Sequence, residues 1–173
     1  MNGNPALEFF NDLPWGALAR NQQGVFYVCE ALHFVGLSLL LGALLVVDLR
    51  LMGLWRSIRL ADAFVWMRWA LVGFAINAVT GFVMFCADPY NYWTNSAFHI
   101  KMILIVLAGA NLLWFLMIER RRVLALPEGA DTSATTKVSA ALSLLLWVAI
   151  IIMGRLLPSF EGDGGLFAPP PGM

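Results

Sequence analysis

The sequence predicts an all-α membrane protein: an antiparallel bundle of four transmembrane helices, with a short interfacial helix before the first. Three observations carry that expectation. Sixty per cent of the 173 residues are hydrophobic and 13% are charged, against about 45–50% and about 25% in soluble domains. Four apolar runs are each long enough for a hydrocarbon core about 30 Å thick, which needs about 20 residues of helix. Lysine and arginine concentrate in alternate connections between those runs, the pattern that sorts loops by side.

Residues 1–23 are expected to form a periplasmic or interfacial segment. It opens MNGNPALEFFNDLPWG, without the basic start and continuous apolar core of a signal peptide, so the chain's own helices are expected to direct insertion. Within it, Asp12 and Pro14 read as the cap and first-turn residue of a short helix. The first span runs from Gly24 to Leu54, the second from Trp66 to Cys86, the third from Phe98 to Ile118 and the fourth from Val138 to Leu157. Backbone groups in lipid must be satisfied within the segment, which requires helix in runs of this length. Short connections then dictate an up-down bundle. Residues 24–157 form the transmembrane domain, and residues 158–173, which close in PPPGM, a flexible periplasmic tail. There is no internal repeat and no second domain. The PEGADTSATT stretch reads as a solvated loop able to cap the last helix.

Charge sets the expected orientation. Arg50, Arg56, Arg59 and Arg68 flank the first connection, and Arg120, Arg121, Arg122 and Lys137 the third. The second, ADPYNYWTNSA, has no Lys or Arg, and the tail carries Glu161 and Asp163. The basic loops are therefore expected in the cytoplasm and both termini in the periplasm of a bacterial inner membrane. Trp15 and Trp93 would mark the outer interface, and Trp55, Trp66 and Trp114 the inner one. A net charge of zero points to no nucleic-acid partner. The expected partners are the lipid bilayer and, beyond it, a quinone, a periplasmic electron carrier, a larger membrane complex or further copies of the chain.

Only two histidines occur. His33 lies two to three turns into the first span and His99 in the first turn of the third, both counted from the outer side. Within one helical turn of uncertainty they reach the same depth. Imidazoles on opposing helices of a bundle are a common way to hold haem iron. The predicted site is thus a haem b with His33 and His99 as metal ligands. Glu30, three residues before His33, would orient its second ring nitrogen, and Lys101 or Arg155 would pair a propionate. Gly36, Gly42 and Ala43 would leave room beside the first helix. Two other readings stay open: other metal or proton chemistry at one histidine, and structural hydrogen bonding by both.

The remaining polar positions read more simply. Asn77, between Gly73 and Gly81 at intervals of four, is expected to glue helices together, with Asn111 beside Gly109 and Ala110 as its counterpart. Asp48 and Arg50 are expected at the inner interface, pairing with Arg68 or meeting headgroups, and Asp88–Pro89 should turn the chain out of the second helix. Cys29 and Cys86 read as free thiols; without a CxxC motif, a thiolate zinc site and a thioredoxin-like centre are disfavoured. Met84 and Met102 are the thioethers closest to the outer site, where copper(I) would need them, but there is no MxxM motif.

The phrases ALHFVGLSLLLGALLVVDLRLMGLW and FHIKMILIVLAGANLLWF resemble an uncharacterised family of small bacterial inner-membrane proteins, over about Pro14 to Phe115. More distantly, a histidine early in the first span and an (F/W)HxK-like start to a later one resemble the membrane domain of copper-resistance protein D and the HemJ-type protoporphyrinogen oxidases. The resemblance to the oxidases implies haem ligation by His33, with Lys101 matching their later lysine. The spacing from His33 to Arg50 departs from the oxidase pattern, and the tyrosine- and proline-containing stretch before the oxidase arginine is missing. Haem binding therefore carries over and the oxidase reaction does not. The leading expectation is a haem-b electron-transfer protein or accessory subunit. A non-redox subunit or small transporter, with copper as one cargo, comes second, and a HemJ-like oxidase third.

Overall fold

The computed structural model describes residues 4–166, and no strand occurs among them. Two short helices precede the first span where one was expected. α1 (Pro5–Asn11) is capped by Asn4, whose side chain accepts from the Ala6 N–H; α2 (Pro14–Asn21) carries Pro14 in its first turn. Asp12 does not cap α2. Its backbone is still helical and its N–H is bonded back into α1, so the extended residue before α2 is Leu13, which offers no side-chain acceptor. Arg20 fastens this hairpin, donating to the side chain and carbonyl of Asn11 and to the Ala87 carbonyl.

The spans follow in order. α3 (Gln23–Leu51) is unbroken, and the short α4 (Leu60–Val65) leads into α5 (Met67–Ala87). α6 (Pro89–Trp93) is a single turn, capped by Asp88 through the Asn91 N–H, as the Asp88–Pro89 pair predicted. α7 (Ser96–Trp114) passes through a π-helical turn at Phe115–Glu119 into α8 (Arg120–Leu124), and α9 (Ala134–Leu156) ends in a 3-10 turn at Leu157–Phe160. Asn95 caps α7 and Ser133 caps α9, each side chain accepting a backbone N–H three residues on. Four stretches, Gln23–Leu51, Leu60–Ala87, Ser96–Leu124 and Ala134–Phe160, are long and apolar enough to cross a membrane. The chain is an all-α bundle of four such helices. Residues 167–173 of the expected tail lie outside the described residues.

The loops after α3 and α8 meet at one end of the bundle, here the basic end. Asp131 bridges Arg56 at 2.8 Å and Lys137 at 2.7 Å, Arg59 pairs with Glu128 at 3.0 Å, and the Thr132 hydroxyl donates to the Leu51 carbonyl. The hydrogen bond from Lys137, with Arg56 close by, holds the Asp131 carboxyl below the usual carboxylate range. At this end the π-helical turn buries Glu119, whose carboxylate accepts from Thr136 Oγ1 at 2.6 Å and Ser133 Oγ at 3.3 Å, with Arg122 at 3.6 Å.

Helix order decides where a site can form. α3 packs closely on α5, α3 on α9 and α7 on α9, whereas no Cα of α7 comes within 8 Å of α3 or α5. The helices therefore run α5–α3–α9–α7, and α5 and α7 are the flanks of a cleft whose back wall is α3 and α9. The tightest seam is α3 on α5. A Cβ at Gly73 would lie 2.5 Å from the Gly36 carbonyl oxygen, and one at Gly36 2.8 Å from Asn77 Nδ2, the close backbone approach that small residues permit between membrane helices. Gly42, expected to make room as well, is exposed and its Cβ would meet nothing within 4 Å.

Candidate functional site

His33 is half-buried on the face of α3 that meets α5, where its Nδ1 lies 2.8 Å from Thr80 Oγ1. The Thr80 hydroxyl has one proton and donates it to the Ile76 carbonyl of its own helix at 2.7 Å. Toward the imidazole the hydroxyl therefore accepts, Nδ1 carries the ring proton, and Nε2 keeps the lone pair that a metal would use. Gly81 makes the ring's position possible: a Cβ there would come within 3.3 Å of His33 Cε1. From the opposite side of the bundle, Lys101 of α7 extends over Gly154 of α9, where a Cβ would lie 3.4 Å from Nζ. Lys101 is within Coulombic range of His33 and takes part in none of the ion pairs among the described residues. All four long helices thus contribute to one polar locus, through His33, Thr80, Gly81, Lys101 and Gly154.

An aromatic cluster joins α5, α6 and α7 near the start of α7. Phe85 stacks on Phe98 at 5.6 Å, and Tyr92 leans on both. Burial pushes the Tyr92 phenol above its usual range, and Asp88 adds to the effect.

Unlike His33, which lies ten residues into α3, His99 lies three residues into α7. Its ring is edge-on to Trp93 at 5.7 Å, and its Nδ1 accepts the Leu166 N–H at 3.3 Å. Asp163 shapes the segment that makes this contact, its Oδ1 accepting from the backbone N–H groups of Ser96 and Gly165. Hydrogen bonding to Ser96, then to the Gly165 amide, holds that carboxyl below the usual range. With Nδ1 accepting, the neutral His99 ring carries its proton on Nε2. The two histidines differ in partner and tautomer.

The expected supporting residues divide. Glu30 is exposed, and Thr80 occupies the place foreseen for it, because the His33 face of α3 is turned to α5. Arg155 is exposed on α9, whereas Lys101 reaches inward. A haem would find two of its needs met here, an imidazole nitrogen with an available lone pair and an ammonium that has no counter-charge among the described residues; His99 as arranged does not supply a second such nitrogen. Cys29 and Cys86 are free thiols, Met102 is exposed, and no group of three His, Cys, Asp or Glu side chains converges among the described residues.

The acidic group expected at the interface is inside. Asp48 is 5% exposed and Arg50 fully buried. Arg50 donates through Nε to the Ile58 carbonyl at 2.6 Å, because the chain turns back over it at Gly53, whose φ is +95°. Asp48 Oδ2 has no hydrogen-bond partner. It faces a cavity of about 300 Å³ between the four helices, walled by Leu44, Met67, Phe74, Phe115, Ser143 and Trp147 among others. Asn111 does not partner Asn77: it exchanges two hydrogen bonds with Ser139, while Asn77 donates to the Gly73 carbonyl of its own helix. The signal for Asp48 was its spacing, four and eight residues after Leu44 and Leu40 on one buried stripe of α3.

No curated protein and no solved structure is significantly similar to the chain. A family profile matches residues 9–160, and by that match the chain belongs to DUF6644, a family of unknown function.

Proposed function

We propose that the chain is a b-type haem protein of a bacterial inner membrane, an electron-transfer protein or accessory subunit with its basic loops cytoplasmic and its termini periplasmic. The observation that carries this reading is the His33–Thr80 hydrogen bond within Coulombic range of the Lys101 ammonium, which takes part in no ion pair among the described residues. A metal-bound histidine commonly donates its other ring N–H to an acceptor that fixes ring and tautomer, and Thr80 does this for His33. Lys101 supplies the positive charge that a propionate needs, and Gly81 admits the ring. A bound haem would supply one-electron chemistry at a depth that a quinone or a periplasmic carrier can reach. His33 is the obligatory ligand in this reading; His99 joins it only by giving up the Leu166 amide.

Visible spectra of the oxidised and dithionite-reduced purified protein, with a pyridine haemochrome assay, test the proposal. The expected result is sharp reduced α and β bands from about one haem per chain, lost in His33→Ala and retained in His99→Ala. No Soret band, in folded protein expressed with ample haem, would transfer the reading to a non-redox subunit or small transporter.

A further inference from the structure

We infer that the cavity at the basic half of the bundle binds a lipophilic monocation, an ammonium carried on an apolar or aromatic body, which enters from the bilayer between α5 and α7 and takes Asp48 as its counter-charge. The site is separate from the His33 locus. Phe74 and Trp147, in edge-to-face contact at 6.3 Å, close it off on that side.

Four observations converge on that ligand. Asp48 is 5% exposed, its Oδ2 is unpartnered, and among the described residues it is the only titratable group lining the cavity. A carboxylate buried in apolar surroundings without a cation is costly, and Asp48 takes part in none of the ion pairs among the described residues. Arg50 is two positions on, turned to the far side of α3 and bonded to Ile58; Arg68 of α5 is exposed; α7 and α9 contribute no charge to the wall. Ser143 is a polar neighbour of the carboxyl.

The size and walls fit an organic ion. About 300 Å³ is the lower end of small-molecule sites, and the rings of Phe74, Phe115 and Trp147 offer faces that attract cations. A metal ion fits poorly, because hard cations take six or more oxygens and the Asn111 and Ser139 side chains are already bonded to each other. Access is built in: no Cα of α5 lies within 8 Å of α7, and the ring contact between the two helices, Phe85 on Phe98, lies at the opposite end of α5 from Met67. Gly109, on the α7 flank, leaves the space open: a Cβ there meets nothing within 4 Å.

The experiment is calorimetric titration of the full chain in detergent micelles with 4-phenylbutylammonium and with its neutral isostere 4-phenylbutanol. The ammonium is expected to bind at least about tenfold more tightly than the alcohol, a margin that Asp48→Asn removes. Gly109→Leu fills the cavity without touching the carboxyl and should weaken the ammonium by about tenfold or more, so it decides the matter even if Asp48→Asn fails to fold. Equal binding of the two compounds, as a lipid-tail cavity would show, overturns the proposal. So does ammonium binding that is undetectable or that survives both substitutions. His33→Ala should leave this titration unchanged, which separates its failure from that of the haem reading.

Discussion

A threonine inside an apolar helix ordinarily satisfies its own backbone, and Thr80 does so through Ile76. What sets it apart is the second use of the same oxygen, as acceptor for His33. Thr80→Val keeps the volume and removes that acceptor, so haem affinity should fall by about 10–100-fold, the usual scale for loss of such a partner; Thr80→Ser should keep it. Competitive haem titration of the two variants measures the difference. His33 and Lys101 could be singled out from sequence because ionisable side chains within a span are rare. Thr80 could not, because a threonine among apolar residues is silent until the register of α5 against α3 is known. Asp48 misled for the opposite reason: two residues from Arg50 and near a span end, it had the sequence context of an interfacial residue, although its spacing from Leu40 and Leu44 puts it on the buried stripe of α3, whereas Arg50 is covered by the turn at Gly53.

Between elements, the α3–α5 seam is the strictest contact. A Cβ at Gly73 meets backbone, 2.5 Å from the Gly36 oxygen and 2.6 Å from the Leu40 nitrogen, and backbone cannot step aside. Gly73→Ala should therefore cost about 1–3 kcal/mol, as overpacking does. Gly42→Ala, into open space on the lipid side, should be neutral or stabilise by about 0.5–1 kcal/mol. Unfolding of the two variants in mixed micelles distinguishes the cases. Gly73, Asn77 and Gly81 were legible as one face from their spacing; that Gly36 lies opposite was not, since a spacing names a face and never its partner. The spans themselves were legible to within a few residues of their apolar parts. Three of the four membrane-length stretches run on beyond those parts at both ends, and Asn95 and Ser133 cap two of them at their starts. The first stops earlier than expected, at Leu51, where Gly53 takes a left-handed conformation.

For the whole molecule, the two basic loops are joined as well as being on one side, and Asp131 is the joint. Its carboxyl titrates below the usual range in the folded chain, so its contribution is present above the ordinary carboxylate pKa of about 3.9 and is lost as the pH falls through the lowered value. Hydrogen exchange in the segments 52–59 and 125–133 should accordingly rise below about pH 4, and Asp131→Asn should reproduce that rise at neutral pH. Unchanged exchange in the variant would mean that Arg59–Glu128 and Thr132 hold the loops without it. The alternation of basic and non-basic connections, read from composition alone, had already put these loops together.

The π-helical turn at Phe115–Glu119 works for the third long helix as a leap day works for a calendar. Residues that recur every four positions drift about 40° round an α-helix at each step, so a stripe running from Ala108 through Phe115 and Glu119 to Val123 would wander off the core. One wide turn takes the drift back, and all four of those residues are buried. Insertions and deletions of one residue in that turn are thus rotations more than changes of length. Each would swing Val123, and the three arginines beside it, by about 100° relative to the membrane-spanning part, leaving the span intact and the stub beyond it out of date.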